Sequence, residues 1–350
     1  MMMRPPASLC PATVLLLIIV LVLRLGAQER RPDAANDDGN RAAGDHRANT
    51  LGEDRDTVNA IHPLLTTIFF EEGSAGISER YVRLAAPDLT RNFTDTTIAG
   101  GTLEHYHNVL NIIGYRMRVH PSTTIEIGGS SSREPRRLET AELAAMRAGA
   151  VRAYLVKVWG IDTARIRMLP TRRGAARGGF VVDPLAREED RCAEIRSADW
   201  EIVKPVVVSA IRAAGGSGAD DGRYRAGRGE NLVRQYAIPF FTFTEDKPGA
   251  VNARVLREFI CNIIHPDAHV ECVGHNDIIG LEDWNLRLSE FRANIVMNFI
   301  KHCVGSGRAA SIAARGVGES QPLYPNALPE GRCYNRTVLV TVSEPAAADP

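Results

Sequence analysis

An internal repeat constrains the fold of this 350-residue chain more than any other feature. Two segments align without a gap: His120 and Pro121 with His265 and Pro266, residues 124–129 with 269–274, Arg147 and Ala148 with Arg292 and Ala293, and Gly160 with Gly305. Each segment follows an apolar helical stretch and leads into a longer helix, which gives the order strand, helix, strand, helix, strand, strand twice. The sequence therefore predicts an α+β fold of two tandem units, each a mixed β-sheet with helices packed on one face.

The second unit contains a strand, a loop and a helix that together predict a binding site. Residues 270–273 form an apolar strand, and the glycine-flanked loop after it holds Asp277. The next helix carries Asn285, Ser289 and Arg292 at spacings of i, i+4 and i+7, so these three side chains share one helical face. An acid at a strand end and an arginine on the following helix can contact the same small ligand from two sides.

These residues strongly resemble the OmpA-like peptidoglycan-binding domain, whose pattern reads G-H-T-D-x-x-G, then N, then L-S-x-x-R-A. This chain has G-H-N-D-I-I-G at 274–280, Asn285, and L-S-E-F-R-A at 288–293. Residues 316–320 are similar to the family's G-x-G-E segment, and residues 335–338 to its N-R-R-V ending. The resemblance covers residues 236–342. It departs from the family at Asn276, where Thr is usual, and at 244–246, where T-E-D only loosely matches the F-x-F-D start.

The resemblance implies a ligand, the diaminopimelate end of a peptidoglycan stem peptide. That group carries an ammonium and a carboxylate on one carbon, so it needs an anionic and a cationic partner close together. The resemblance assigns the ammonium to Asp277 and the carboxylate to Arg292, whose planar guanidinium can donate two parallel hydrogen bonds. The predicted ligand-binding residues are Asp277, Arg292, Asn276, Asn285 and Ser289, supported by Gly274, His275, Gly280, Leu288, Asn335 and Arg336.

The first unit lacks most of this pattern. In the register of the repeat, serines at 130–132 replace His275, Asn276 and Asp277, while Thr140 replaces Asn285 and Ala144 replaces Ser289. Only Arg147 is kept. A serine cannot neutralise an ammonium, so we expect this unit to be a degenerate relative that is structural or binds other envelope proteins.

The chain is expected to divide into six parts. These are a signal peptide (1–27), a disordered polar tether (28–58), the degenerate OmpA-like domain (59–198), a connector (199–235), the OmpA-like peptidoglycan-binding domain (236–343) and a tail (344–350). Arg4, the apolar run at 12–23 and the small residues before position 28 are typical of a secretory signal, although an uncleaved anchor stays open. The predicted location is the periplasm or the outer-membrane-associated envelope.

The cysteines and histidines say less about the function than the motifs of the second unit do. The mature chain would keep Cys192, Cys261, Cys272, Cys303 and Cys333, an odd number whose pairing the sequence does not specify. His105 and His107 are two residues apart and do not share a helix face, so they are expected to be exposed. Cys272 and His275 lack two further zinc ligands, and no metal or cofactor is predicted. On the long helix, Leu288, Ile295 and Phe299 recur at helical spacing and are expected in the core.

The function predicted from these observations is non-enzymatic: a cell-envelope protein that binds peptidoglycan non-covalently and tethers the envelope to the wall. Lys and Arg together number 42, as do Asp and Glu, so the charge gives no indication of nucleic acid. One alternative is a peptidoglycan-processing enzyme with the second unit as its targeting module. That enzyme would need catalytic groups, for which Cys192 and the acidic pair Glu188 and Glu189 are the candidates. The two acids are more simply explained as part of a solvated surface run. The other alternative is a periplasmic protein-interaction scaffold.

We expect export with cleavage near Gln28 and no lipid on Cys10, because that cysteine precedes the apolar run instead of following it. N-terminal mass spectrometry of the protein from envelope fractions checks this. Recovery of an intact Met1 from the cytosol would contradict it.

Overall fold

The computed structural model describes residues 57–132, 138–173, 183–211, 224–225, 232–241, 248–305, 309 and 311–344. The expected signal peptide, the tether as far as residue 56 and the tail after residue 344 lie outside them. In this described part, no helix is both long and apolar enough to cross a membrane.

The strands alternate with helices through most of the described chain. The strands are β1 (Thr57–His62), β2 (Thr67–Phe69), β3 (Ile125–Ser131), β4 (Ile166–Met168), β5 (Arg172–Arg173), β6 (Cys192–Arg196), β7 (Val206–Ile211), β8 (Tyr224–Arg225), β9 (Leu232–Pro239), β10 (His269–His275), β11 (Ser311–Gly318) and β12 (Thr337–Glu344). The helices are α1 (Thr102–His107), α2 (Val109–Val119), α3 (Ala141–Trp159), α4 (Pro184–Asp190), α5 (Trp200–Val203), α6 (Ala250–Val255), α7 (Glu282–Val304) and α8 (Pro329–Asn335). Short 3-10 turns at Pro87–Thr90, Asp95–Thr97, Thr163–Arg165 and Cys261–Ile263, and a π-helical turn at Leu256–Ile260, complete them.

Two sheets share one strand order. The first runs β2-β6-β3-β4, with β5 also paired to β3, and the second runs β9-β12-β10-β11, with β8 beyond β9. Numbered in chain order, the first strand of each sheet pairs antiparallel with its last strand (β2 with β6, β9 with β12). The last strand also pairs antiparallel with the second (β6 with β3, β12 with β10). The second strand pairs parallel with the third (β3 with β4, β10 with β11). This confirms the α+β class with mixed sheets.

Equivalent contacts recur in the two sheets at the register of the repeat. The Phe70 N–H donates to the Arg191 carbonyl (2.8 Å), and the Phe240 N–H donates to the Arg336 carbonyl (2.6 Å). Each arginine stands between a short helix that begins with proline and the last strand of its sheet. The sequence repeat therefore corresponds to a repeat of backbone contacts.

A third, two-stranded sheet joins the parts of the chain that precede and follow the first unit. Strands β1 and β7 pair antiparallel from Thr57 opposite Ile211 to His62 opposite Val206. Strand β1 thus begins inside the expected tether, and β7 uses the apolar run of the expected connector. Strand β9 also begins at Leu232, four residues before the predicted start of the second domain.

Local sequence explains where the two long helices, α3 and α7, end and where α3 begins. The Thr140 side chain accepts the Leu143 N–H (3.1 Å) and caps the start of α3, and Gly160 ends that helix with φ +67°. Helix α7 is followed by Gly305, with φ +75°. A left-handed φ after the last turn favours glycine at both positions.

Two apolar clusters form the core, and each takes residues from the other repeat. Cys333 and Tyr334 of α8 lie in the cluster beneath the first sheet, and Ile61 of β1 lies in the cluster beneath the second. The Tyr334 hydroxyl donates to the Pro63 carbonyl (2.9 Å) and accepts the Leu65 N–H (3.1 Å). The two repeats are therefore packed into each other.

One disulfide links Cys261 to Cys303, across a sequence separation of 42 residues. It ties the turn before β10 to the last turn of α7. Closing a loop of this length restricts the unfolded chain by about 4 kcal/mol in the chain-entropy treatment. Cys272 and Cys333 are buried free thiols, and Cys192 is a partly exposed one.

We expect Tyr334→Phe to destabilise the protein by ~1–3 kcal/mol, because it leaves a buried carbonyl and a buried N–H without their hydroxyl partner. Urea unfolding at equilibrium measures the change. Tyr115→Phe, which removes a hydroxyl from the first unit away from this contact, should have a smaller effect. Equal stability of Tyr334→Phe and wild type would show that the contact does not hold the repeats together.

Candidate functional site

Strand β10 and helix α7 approach so closely that only glycine fits between them. A Cβ on Gly274 would lie 1.9 Å from the Ser289 carbonyl oxygen, and a Cβ on Gly316 would lie 2.4 Å from the Glu290 nitrogen. Gly318 ends β11 with φ +58°. These contacts place the first turns of α7 over the ends of both strands.

Ser289 and Asn276 both hydrogen-bond to Gly318 and so hold the end of β11 against α7 and the loop after β10. The Ser289 hydroxyl accepts the Gly318 N–H (2.9 Å) and donates to the Leu286 carbonyl (2.7 Å). The Asn276 N–H donates to the Gly318 carbonyl (2.8 Å). Ser289, predicted to bind ligand, therefore holds β11 against α7 in this structure.

Asn285 holds the loop that carries the predicted acid. Its Nδ2 donates to the carbonyls of Asp277 (3.1 Å) and Ile279 (3.2 Å) and to Glu319 Oε2 (2.6 Å). Because its amide hydrogens are used in this way, Asn285 orients the loop.

Asn276 connects the loop to Arg292. Its Nδ2 donates to the Asn285 carbonyl (2.9 Å), and its Oδ1 accepts from Arg292 Nη1 (2.9 Å). The Arg292 guanidinium also lies over the Phe240 ring, 4.9 Å from its centroid. The structure thus places Arg292 against the residue that precedes Asp277.

Asp277 is engaged by two donors. Its Oδ1 accepts the Ile279 N–H (3.0 Å), and its Oδ2 accepts a hydrogen bond from Arg336 Nη1. Burial raises the pKa of Asp277, the Arg336 charge opposes that rise, and the Glu189 carboxylate adds to it. The rise therefore comes first from burial, and Arg336 is the main group that stabilises the carboxylate.

Arg336 is the hub of the cluster. Its Nη2 donates to the Phe241 carbonyl (2.9 Å) and to the Cys333 sulfur (2.8 Å). It also makes two parallel hydrogen bonds to Glu189, from Nη1 to Oε1 (3.2 Å) and from Nη2 to Oε2 (3.0 Å). Burial disfavours its charge, but the neighbouring Cys333 sulfur and the carboxylates of Glu189 and Asp277 outweigh burial and raise the pKa of Arg336.

Sequence reasoning missed Glu189, which it assigned with Glu188 to a solvated run. In the structure Glu189 is buried and comes from α4 of the first unit. The available signal was the register of the repeat, which places Glu189 at the position of Tyr334, directly before Asp190 and Arg191. An acid that replaces an aromatic residue at such a position calls for a buried cationic partner.

The predicted supporting residues have structural roles. His275 Nδ1 contacts the Gln321 carbonyl (2.8 Å), and burial lowers the pKa of this imidazole. Asn335 accepts the N–H groups of Leu323 and Tyr324 (both 2.9 Å) and fixes that loop. Gly280 adopts φ +108°, which favours glycine because a side chain would be strained there.

The expected core positions on α7 are only partly buried. Leu288, Ile295 and Phe299 are all intermediate in exposure, and only Phe299 packs against the second cluster. The core face of α7 consists instead of Asn285, Ser289, Arg292, Ala293, Val296, Ile300 and Val304. The buried face of α7 is thus polar near the site and apolar further along the helix. Leu288 and Ile295 lie beside this face and are only partly buried.

Both predicted ligand-binding charges are buried, with 2% of Asp277 and 0% of Arg292 exposed. Residues on the rim are open to solvent, namely Ile278 (41%), Leu281 (55%) and Trp284 (55%). The expectation that both charges face an open cleft is therefore not met in this conformation.

In the first unit, Arg147 pairs with a carboxylate of the same unit. Arg147 donates from Nη1 to Glu139 Oε2 (2.6 Å) and from Nη2 to Glu139 Oε1 (2.8 Å), and both side chains are fully buried. The Ser130 carbonyl accepts a further bond from Arg147 (3.1 Å). Thr140 caps α3, as described above. This arginine is therefore already paired with a carboxylate of its own unit.

The histidines differ from the sequence prediction. His105 is buried and stacks on His62 with 4.1 Å between ring centroids, and His107 lies 3.5 Å from the buried Glu330 carboxylate. The prediction that both are exposed is wrong for His105, because α1 packs its inner face on the first core. Among the described residues, no group of three His, Cys, Asp or Glu side chains is placed to hold a metal.

Fold and site together define an OmpA-like α+β unit in the second half of the chain. No family model matches the chain. It is similar to outer membrane porin F of Pseudomonas aeruginosa, 37% identical over 84 residues, which are 23% of each protein. It is also similar to peptidoglycan-binding protein ArfA of Mycobacterium tuberculosis, 42% identical over 79 residues, or 22% of this chain and 23% of that protein.

A third relative, the probable lipoprotein YiaD of Escherichia coli K12, is 34% identical over 103 residues, which are 28% of this chain and 43% of that protein. The chain thus spans about a quarter of the first two relatives. Among solved structures, the peptidoglycan-associated lipoprotein of Burkholderia pseudomallei covers 30% of this chain and 88% of its own, at 20% identity and a TM-score of 0.27. The three sequence relatives confirm the OmpA-like resemblance.

We expect Glu139→Gln to lower stability by about 3–5 kcal/mol, because it leaves the buried Arg147 charge without its carboxylate. Burial opposes ionisation of Glu139, but bonds from Arg147 and the Gly73 N–H outweigh it and lower the pKa of Glu139. The stabilisation is therefore present above the ordinary glutamate pKa of about 4.3 and is lost as pH falls through the lower folded value.

Urea unfolding at pH 7 and at pH 3 measures both effects, with the exposed Glu72→Gln as the matched control. A Glu139→Gln variant as stable as wild type at pH 7 would contradict the pairing.

Proposed function

We propose that this chain is a non-enzymatic cell-envelope protein that binds peptidoglycan non-covalently through its second unit. The observation that carries the proposal is the corner of β10 and α7, where Arg292 hydrogen-bonds to Asn276, the residue before Asp277. Proteins that are similar over part of the chain include one named for peptidoglycan binding and an outer membrane porin.

The proposed ligand is the free amino-acid end of diaminopimelate in the stem peptide. Asp277 accepts from its ammonium and Arg292 donates to its carboxylate. Both partners are buried, so their interaction with a ligand would be stronger than in water, and an unmatched ligand charge would be costly. This favours a zwitterion over a simple amine or acid.

Ligand entry requires movement of the loop at residues 277–281, because Asp277 and Arg292 are covered. The loop is held by Asn285 and by the Asp277 contact to the Ile279 N–H, while Ile278 and Leu281 face solvent. A few hydrogen bonds at one exposed segment are all that must rearrange.

The tandem organisation, the six parts of the chain and export by a signal peptide belong to the same proposal. The first unit would be the degenerate copy, since Glu139 already pairs with Arg147. The enzyme alternative is weakened because Glu188 and Glu189 are paired with Arg332 and Arg336.

The protein-interaction alternative has one observation in its favour. Trp284 (55% exposed) and Phe291 (49% exposed) stand seven residues apart on α7, with the half-buried Leu288 between them. Such a stripe would suit a protein partner alongside the wall.

Asp277→Asn and Arg292→Lys should each weaken binding to purified sacculi, by roughly 2–5 kcal/mol. Asn leaves the ligand ammonium buried without its counter-charge, and Lys cannot make the two parallel hydrogen bonds of the guanidinium to the ligand carboxylate. Both changes keep the size of the side chain and thereby protect the fold. Co-sedimentation with sacculi, with free diaminopimelate as competitor, measures the loss. Glu271→Gln, on the outward face of the same strand, is the control and should bind like wild type. Wild-type binding by a folded Asp277→Asn or Arg292→Lys would remove the site assignment.

A further inference from the structure

The first unit places a carboxylate in the candidate site. Glu189 lies on α4, immediately before the last strand of the first sheet, and it is 7% exposed. Its two oxygens face the two Nη atoms of Arg336 at 3.2 and 3.0 Å. The same guanidinium donates to Asp277. One cation therefore serves two carboxylates from different units.

Two carboxylates therefore share the charge of Arg336. The neighbouring Arg332 contacts Glu189 Oε1 (3.2 Å) and Glu188 Oε2 (2.8 Å). Asp277 thus does not have the charge of Arg336 to itself, and this sharing takes place where Asp277 would meet an ammonium.

The pKa shifts of the two partners reflect both burial and the presence of Glu189. An isolated ion pair would lower the pKa of the acid and raise that of the base. Here the pKa of Asp277 and the pKa of Arg336 are both raised. Burial is the first cause at Asp277, and the repulsion from Glu189 adds to it.

We propose that Glu189 is a specificity-determining residue of the diaminopimelate site, supplied by the first unit. This inference rests on the proposed function. By engaging Arg336 at both Nη atoms, Glu189 prevents that guanidinium from neutralising Asp277 alone. Asp277 then accepts a hydrogen bond from the ammonium of the ligand, and Arg292 donates to its carboxylate.

A purely structural role for Glu189 would give a different result. Glu188 also links α4 to Arg332, but its side chain is 35% exposed and it does not contact Arg336. If Glu189 only held the units together, its loss would change stability and leave the choice of ligand as it was. The discriminating measurement is therefore selectivity between ligands that differ in one charge.

The test uses the full mature chain with Glu189→Gln and the matched Glu188→Gln. Calorimetry measures binding of a soluble muropeptide that contains diaminopimelate, and of the same muropeptide with the free amino group acetylated. Wild type should prefer the free ammonium. Glu189→Gln should lose roughly ten- to hundredfold affinity for that ligand and most of its preference, as expected when one charge of a buried set is removed. Glu188→Gln should stay within about twofold of wild type, as expected for a partly exposed pair.

The outcomes separate the two proposals. Failure of wild type to bind either muropeptide overturns the proposed function, and this inference with it. Binding by wild type with unchanged or tighter binding by Glu189→Gln overturns the role of Glu189 alone, and tighter binding would mark its carboxylate as a competitor of the ligand. If Glu189→Gln does not fold, Glu189→Asp replaces it. The shorter side chain keeps the charge but reaches Arg336 less well, so selectivity should fall by a smaller amount, and unchanged selectivity overturns the inference.

Discussion

The buried guanidinium of Arg336 is the interaction on which the rest of this structure depends. It stands between α8 and β12 and reaches the carbonyl of Phe241 after β9, the acid of the loop after β10, and Glu189 of the first unit. Replacing a buried ion pair by apolar groups can cost little, whereas removing one partner costs several kcal/mol. The network therefore contributes chiefly by specifying one arrangement of the two units.

The two repeats show how one backbone can hold an arginine in two ways. At Gly129 a Cβ would lie 1.8 Å from the Ala144 carbonyl oxygen, as Gly274 does with Ser289, so strand and helix meet identically. Arg147 and Arg292 follow at the same distance along their helices. In the first unit Glu139 turns inward and pairs with the arginine, and in the second unit Asn276 accepts a hydrogen bond from it. The two loops thus offer the arginine acceptors of different charge from different loop positions.

Much of this architecture follows from periodicity and spacing. The repeat predicts both sheets and the shared face of Asn285, Ser289 and Arg292, because helix geometry and strand order depend on local pattern. Glu189 was missed because its contact with Arg336, 147 positions away, leaves no trace in local sequence, and only the register of the repeat marks its position as an inward one. The burial of Asp277 was missed for the same reason. Leu288 was misplaced because polar residues take the inward face of α7 near the site, which an apolar-periodicity argument does not anticipate.

The position of Tyr334 has a consequence for how the chain acquires its structure. This ring packs in the first cluster against Tyr106 and Phe241 and hydrogen-bonds next to β2, although it comes after nearly all of the sequence has been made. The first sheet therefore lacks part of its interior until the last strand of the second is available. Folding of the N-terminal unit is coupled to synthesis of the C-terminus.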